Sequence, residues 1–260
     1  MTAPLQPTIP AAPDASSPLH APVFIRPGFH WDAYDAYLFD IDGTLLRSRD
    51  RVHYDSFFAA VEHVTGKPLV LDGVTLHGNT DPGILRDAFQ RSGLEESAWR
   101  PHFDDIFRHM TESVTAKQLE MDLHVMPGVI PTLEHLKRRG AALGVATGNI
   151  ETIGWIKVAV AGLRDSFTFG GFADRYDQRA DMIANALLLA REAAGPQATV
   201  CVVGDTKFDV LAARANGLPT IAVATGNYSF DELMEAEPEI CATSLEALLL
   251  QTATSPAEVR

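Results

Sequence analysis

Hydrophobic and polar positions alternate between two regimes along this chain. Ala36-Tyr-Leu-Phe-Asp40 is a short apolar run that ends on an acid and is followed by Gly43, the pattern of a buried strand entering a loop. Between Asp50 and Leu123 the spacing becomes helical. Phe57, Phe58, Val61 and Val64 recur over Tyr54–Thr65, and Ile84, Leu85, Ala88 and Phe89 over Pro82–Arg91, with a further periodic stretch over His102–Leu119. No strand pattern interrupts this section. Short apolar runs then alternate with helical stretches: strands are predicted at Leu143–Thr147, Phe167–Phe172, Thr199–Gly204, Thr220–Ala224 and Glu239–Ala242. Helices are predicted at Val129–Arg139, Glu151–Ala161, Ala180–Ala193, Asp209–Asn216, after Ser229 and at Leu245–Leu250. Ser229-Phe-Asp-Glu232 has the spacing of a capping box.

Strand and helix in alternation predict an α/β fold, a Rossmann-like, mostly parallel sheet with helices on its faces, carrying a small α-helical cap. The expected organisation is a proline-rich tail over residues 1–30, an α/β core over 31–50 and 124–260, and a helical cap over 51–123. The tail repeats Pro with Ala, Ser and Thr and lacks periodicity, so it is expected to bury too little apolar surface to offset its ordering entropy.

Composition narrows the function. The 260 residues are 46% hydrophobic, enough for a sizeable core, and the formal net charge is −13. That charge argues against nucleic acid as a partner, because phosphate contacts need a basic face. No apolar run approaches the ~18 residues that span a bilayer, so no membrane partner is expected. The N-terminus lacks a basic segment before an apolar core, so a signal peptide is not expected. Cys201 and Cys241 sit in apolar runs, read as buried small hydrophobes, and fit a reducing cytoplasm.

Three polar clusters fall where predicted strands end: Asp40-Ile-Asp42-Gly43-Thr44-Leu45, then Thr147-Gly148-Asn149, then Gly204-Asp205-Thr206-Lys207-Phe208-Asp209. Taken singly, each has a plain structural reading. Asp42-Gly43 is a common turn pair, Thr147 or Asn149 would cap the next helix, and Asp209 would cap its own. Together they point at one crevice, because ligands of open α/β sheets bind at the carboxyl ends of the strands. Four carboxylates gathered there would repel one another unless a hard cation were present, and Asp oxygens suit Mg²⁺.

These motifs, DIDGTL, TGN and GDTKFD in this order, resemble the haloacid-dehalogenase-like superfamily over about Asp35 to Leu250. The nearest match is its phosphoglycolate-phosphatase-like branch, whose helical cap follows the first motif. The resemblance implies a Mg²⁺-dependent phosphatase acting on a small phosphorylated metabolite. In that reading Asp40 is the nucleophile and Asp42 the general acid/base. Asp40, Asp205, the backbone carbonyl of Asp42 and, from behind or through water, Asp209 serve the metal. Thr147 holds a phosphoryl oxygen, and Gly43, Thr44, Gly148 and Asn149 surround the phosphate. Asp42 separates phosphoryl transfer from dehalogenation, which has no alkoxide to protonate.

One position departs from the family, which usually places a lysine at the start of the helix before the third motif. Here the segment reads GGFADRYDQRAD, without lysine. Arg179, at the mouth of the helix, is the expected replacement, with Arg175 and Lys207 as alternatives. The loop Leu76-His-Gly-Asn-Thr-Asp81 is polar, and Thr80 and Asp81 are candidates both for substrate contact and for capping the helix that begins with Pro82. Three rivals stand beside the phosphatase reading: a phosphomutase, a non-catalytic scaffold, and a phosphonatase. The last would need a cap lysine, and Lys67 and Lys117 have no activating neighbour in the sequence.

Overall fold

A computed structural model describes residues 21–254, with side chains as far as Gln251. Seven strands form one sheet in the order β1 (Val23–Ile25), β9 (Ile240–Ala242), β8 (Thr220–Val223), β7 (Val200–Gly204), β2 (Ala36–Phe39), β5 (Ala142–Ala146), β6 (Phe169–Gly171). All pairings are parallel except that of β1 with β9. Helices α5 (Val129–Arg138), α6 (Glu151–Val160), α7 (Arg179–Ala194), α8 (Lys207–Ala215), α9 (Phe230–Met234) and α10 (Leu245–Thr254) alternate with the strands.

Strand β2, between β7 and β5, is buried on both faces, and its side chains divide by the two-residue period of a strand. Tyr37 and Phe39 join Val145, Cys201 and Val203 on one face, under Leu133 and Leu136 of α5 and Leu245 and Leu248 of α10. Ala36 and Leu38 join Ala146, Val200 and Val202 on the other, under Met182, Ile183 and Ala186 of α7 and Ala212 and Ala213 of α8. A one-residue slip of β2 would exchange the two faces, so the register is tightly specified.

That register sets the site. Phe39 lies level with Val145 of β5 and Val203 of β7. The residues that follow, Asp40, Ala146-Thr147 and Gly204-Asp205, therefore emerge side by side at the carboxyl end of the sheet. Asp40 is locked at this level by its N–H, which donates to the Val203 carbonyl at 2.9 Å.

Between β2 and β5 the chain inserts α1 (Val52–Thr65), α2 (Asp81–Arg91), the short α3 (Glu96–Trp99) and α4 (Phe103–Ala116). Their apolar faces build a separate cluster around Phe57, Leu85, Trp99, Ile106 and Met110, which extends to Ile150 and Ile153 of the core.

Two features were not legible in the pattern. The two crossings between core and cap pair as an antiparallel ribbon, β3 (Leu46–Ser48) with β4 (Leu123–Val125), too short and polar to show alternation. The tail expectation also needs correction within the described residues. Val23–Ile25 adds to the edge of β9, and Phe29 packs on the core. Three β-favouring residues satisfy a sheet edge that would otherwise be unpaired. The rest of the expected tail, residues 1–20, lies outside the described residues.

Candidate active site

Asp40, Asp205 and Asp209 are 5%, 3% and 0% exposed, and each offers a carboxylate oxygen within 4.8 Å of the others. Burying three carboxylates together is unfavourable without compensation. Burial, opposed by Arg179 but reinforced by Asp209 and Asp42, raises the pKa of Asp40. Burial and then the charges of Asp40 and Asp209 raise that of Asp205 well above the usual carboxylate range. The chemistry of this donor set fits a hard divalent cation, with oxygen ligands only and more negative charge than the neighbouring side chains neutralise.

The fixed cation is Arg179, the first residue of α7. Its Nη2 lies 2.8 Å from Asp40 Oδ1 and 2.6 Å from Asp209 Oδ1. These are ion pairs by distance, angled too sharply for Nη2 to count as a linear hydrogen-bond donor. Nε donates to Asp209 Oδ1 at 2.9 Å with good geometry. Burial disfavours the guanidinium charge, but the attraction of Asp209 and Asp40 outweighs it and raises the Arg179 pKa. The alternatives lie elsewhere: Arg175 is exposed, and Lys207 is exposed beside the rings of Phe208 and Tyr228.

Asp209 does not cap α8 itself. Thr206 is the N-cap, and Asp209 closes the reciprocal capping box by accepting from the Thr206 N–H at 3.0 Å and its hydroxyl at 2.7 Å. One Asp209 oxygen serves the helix and the other faces Arg179, so this residue supports the cluster from behind.

Two residues expected at the substrate turn away from it. The Thr44 hydroxyl is buried and donates to Asp205 Oδ1 at 3.0 Å, which orients that carboxylate. Thr80 is buried as the N-cap of α2, accepting from the Gly83 N–H and donating to the Asp177 carbonyl. Neither lines the cavity in front of Asp40. The expectation for Thr44 is thereby corrected, and Thr80 takes the capping role that is its other reading; in both, a threonine hydroxyl near an unpaired backbone or carboxylate group satisfies that group first.

The other expected residues, apart from Asp209, border that cavity, of about 520 Å³: Asp40, Asp42, Gly43, Asp81, Thr147, Gly148, Asn149, Arg179 and Asp205. Gly43 has φ 92°, and a Cβ there would sit 2.3 Å from Asp205 Oδ2. Asn149 donates to Asp42 Oδ2 at 2.8 Å and to Thr147 Oγ1 at 2.6 Å, and neither it nor Thr147 caps α6. Asp81 ties the cap to this loop. Its N–H donates to the Gly148 carbonyl at 2.7 Å, and its Oδ2 accepts from the Ile150 N–H at 2.9 Å and lies 3.2 Å from His53 Nε2. A second tie joins the Arg100 guanidinium of the cap to both carboxylate oxygens of Asp177 in the core.

Residues 37–223 match the haloacid dehalogenase-like hydrolase family. The chain belongs to that family. Among its relatives, the phosphoglycolate phosphatase of Agrobacterium fabrum is 26% identical over 81% of this chain and 89% of its own length. The probable phosphatase IndB of Dickeya dadantii is 30% identical over 51% of this chain, a match that spans 60% of the relative. A solved hydrolase from Pseudomonas syringae, 20% identical, has the same fold with a TM-score of 0.62 over 84% of this chain and 98% of that one.

For a haloacid dehalogenase-like hydrolase this site holds one residue that sequence reasoning missed. Lys157 of α6 is buried, with Nζ 2.8 and 2.7 Å from the two oxygens of Asp42 and 2.8 Å from Asn149 Oδ1. Burial pushes the Asp42 carboxyl up, but Lys157 and Asn149 together outweigh it and hold the pKa below the ordinary carboxylate value. A signal was present. Ile153, Gly154, Lys157 and Val158 form the buried stripe of α6, and a lysine on a core-facing stripe needs a partner.

Proposed function

We propose that this hydrolase cleaves a small phosphate monoester through an aspartyl-phosphate formed on Asp40, with Mg²⁺ as its metal. The observation that carries this reading is the pair Asp40 and Asp42 facing one cavity, the first beside a guanidinium and the second beside an ammonium. A bound cation would ionise Asp40 for nucleophilic attack against the upward push of burial, and the negative charge of an incoming phosphoryl group would favour a proton on Asp42 against the downward pull of Lys157.

In the first step an Asp40 carboxylate oxygen attacks phosphorus and the ester P–O bond breaks. Asp42 delivers a proton to the departing alkoxide oxygen. In the second step Asp42 takes a proton from water, whose oxygen attacks phosphorus. The bond to Asp40 breaks and orthophosphate leaves. Arg179 neutralises charge on Asp40 and on the phosphoryl oxygens, while the Thr147 hydroxyl and the Gly148 amide would donate to those oxygens; the Gly43 N–H, expected among these donors, is instead taken by the Leu46 carbonyl at 2.8 Å. Asp40, Asp205 and the Asp42 carbonyl would hold Mg²⁺, with Asp209 behind them. The ion when bound supplies positive charge that offsets the phosphoryl oxygens.

The relatives named phosphatases support the reaction class, and the phosphoglycolate phosphatases support phosphoglycolate as a candidate substrate. The cap residues His53, Tyr54 and His77 border the cavity and would select among such esters. Lys67 and Lys117 are exposed and outside it, which disfavours a Schiff-base phosphonatase. No helix among the described residues is long and apolar enough to cross a membrane, and both cysteines are buried thiols, in keeping with a cytoplasmic enzyme. The test is a panel of small phosphate esters with Mg²⁺, scored by phosphate release, with the Asp40→Asn variant alongside. Turnover of at least one ester by the native chain and none by the folded variant is expected. Equal turnover by both would refute the reading, and a retained bisphosphate would identify a mutase.

A further inference from the structure

Lys157 has no counterpart among the motif residues of the sequence, and it lies 115 positions from the carboxylate it meets. It is 3% exposed, while the Asp42 side chain is 41% exposed and open to the cavity. An ammonium has three N–H donors and no acceptor. Here three acceptors surround it at 2.7–2.8 Å: Asp42 Oδ1, Asp42 Oδ2 and Asn149 Oδ1. None is left for a substrate atom.

Asn149 completes the bracket. Its Oδ1 accepts from Lys157, and its Nδ2 reaches Asp42 Oδ2 and Thr147 Oγ1. The Asp42 carboxylate is thus gripped at both oxygens from one side. Its rotation is stopped by a side chain that is itself fixed in the α6 core stripe. Asp40 has a separate cation, Arg179, which it shares with Asp209, so the two carboxylates of the first motif meet positive partners on different helices.

We propose that Lys157 is a positioning residue for proton transfer, holding Asp42 in the orientation from which it serves the leaving-group oxygen. The inference rests on the phosphatase reading above. It separates two effects. Charge on the transferring phosphoryl group is the task of Arg179, whatever the leaving group. Placement of Asp42 matters in proportion to how badly the leaving oxygen needs a proton.

Phenyl phosphate and p-nitrophenyl phosphate are close in size and differ in that need, because nitrophenolate departs unprotonated and phenolate does not. With Lys157→Met, kcat/KM for phenyl phosphate is expected to fall on the order of tenfold further than for p-nitrophenyl phosphate, within the range of general-acid effects. In an Asp42→Asn background the same substitution should produce no such difference between the esters. Lys157→Arg keeps the charge without the three-point fit and should show the selective loss in smaller degree, so the test survives if Lys157→Met does not fold. Equal losses on both esters in folded variants, or a selective loss that persists without Asp42, would overturn the proposal while leaving the phosphatase reading intact. A native enzyme that releases phosphate from neither ester nor from any member of the wider panel would overturn both.

Discussion

Arg179 Nη2 stands 2.8 Å from Asp40 Oδ1, at the point where the start of α7 meets the end of β2. The same guanidinium holds Asp209 through Nε and Nη2, so one side chain links the nucleophile candidate to the capping box of α8. The family's usual lysine would place a single point charge here. An arginine fork reaches two carboxylates at once.

Removing that fork should therefore cost both charge and alignment. Arg179→Ala is expected to lose about a hundredfold or more in kcat/KM on whichever ester the enzyme accepts, a typical loss for a transition-state donor. Arg179→Lys should recover part of it, since an ammonium restores the charge but not the second contact. Steady-state kinetics on folded variants decide this, and an alanine variant with near-native kcat/KM would show that the charge is balanced by other means.

The acidic cluster predicts a pH-dependent stability. The Asp40 carboxyl is pushed up to about 7, first by burial, against the attraction of Arg179 and with repulsion from Asp209 and Asp42. Its unfolded value is the ordinary ~3.9. Between these values the folded chain keeps a proton that the unfolded chain releases, so this group makes stability fall as pH rises from about 4 to about 7. Asp205 acts in the same direction. In the proposed reading Mg²⁺ would bind the ionised carboxylates and oppose this trend. Melting temperatures in chelator and in Mg²⁺ should diverge more at about pH 8 than at about pH 5. A Mg²⁺ effect that is absent, or uniform across pH, would count against metal binding at this cluster.

Gly148 packs directly against the cap loop at Asn79 and Thr80. Its φ lies outside the left-handed region, so only space limits substitution, and a Cβ would sit 2.3 Å from the Asn79 carbonyl oxygen. Gly148→Ala should push the 79–81 loop outward and weaken the bond from Asp81 N–H to the Gly148 carbonyl. A loss of about 1–3 kcal/mol in unfolding free energy is expected from such overpacking, together with a raised KM. Denaturant titration and kinetics test this, and an unchanged KM would mean that the cap loop does not shape substrate binding.

The chain pattern alone determined the order of strands β2 and β5 to β9 with the helices between them, the run of helical spacing between β2 and β5, and the three strand-end clusters with Asp40, Asp42 and Asp205. Those features are local: an apolar run, a turn glycine and an acid are adjacent in sequence, and period two or three-to-four reveals the element that carries them. The parallel register then made convergence nearly automatic, since Phe39, Val145 and Val203 must lie level for the strands to pair. The tertiary structure decided which distant side chain met which. Arg179, Arg175 and Lys207 were comparable cations until the start of α7 was fixed against β2. Thr44 turned to Asp205, Thr80 to the end of α2, and Lys157 to Asp42 across 115 residues, while Val23–Ile25 found the β9 edge. Such partnerships form where packing brings an unsatisfied donor within about 3 Å of an acceptor, a distance that no periodicity along the chain encodes.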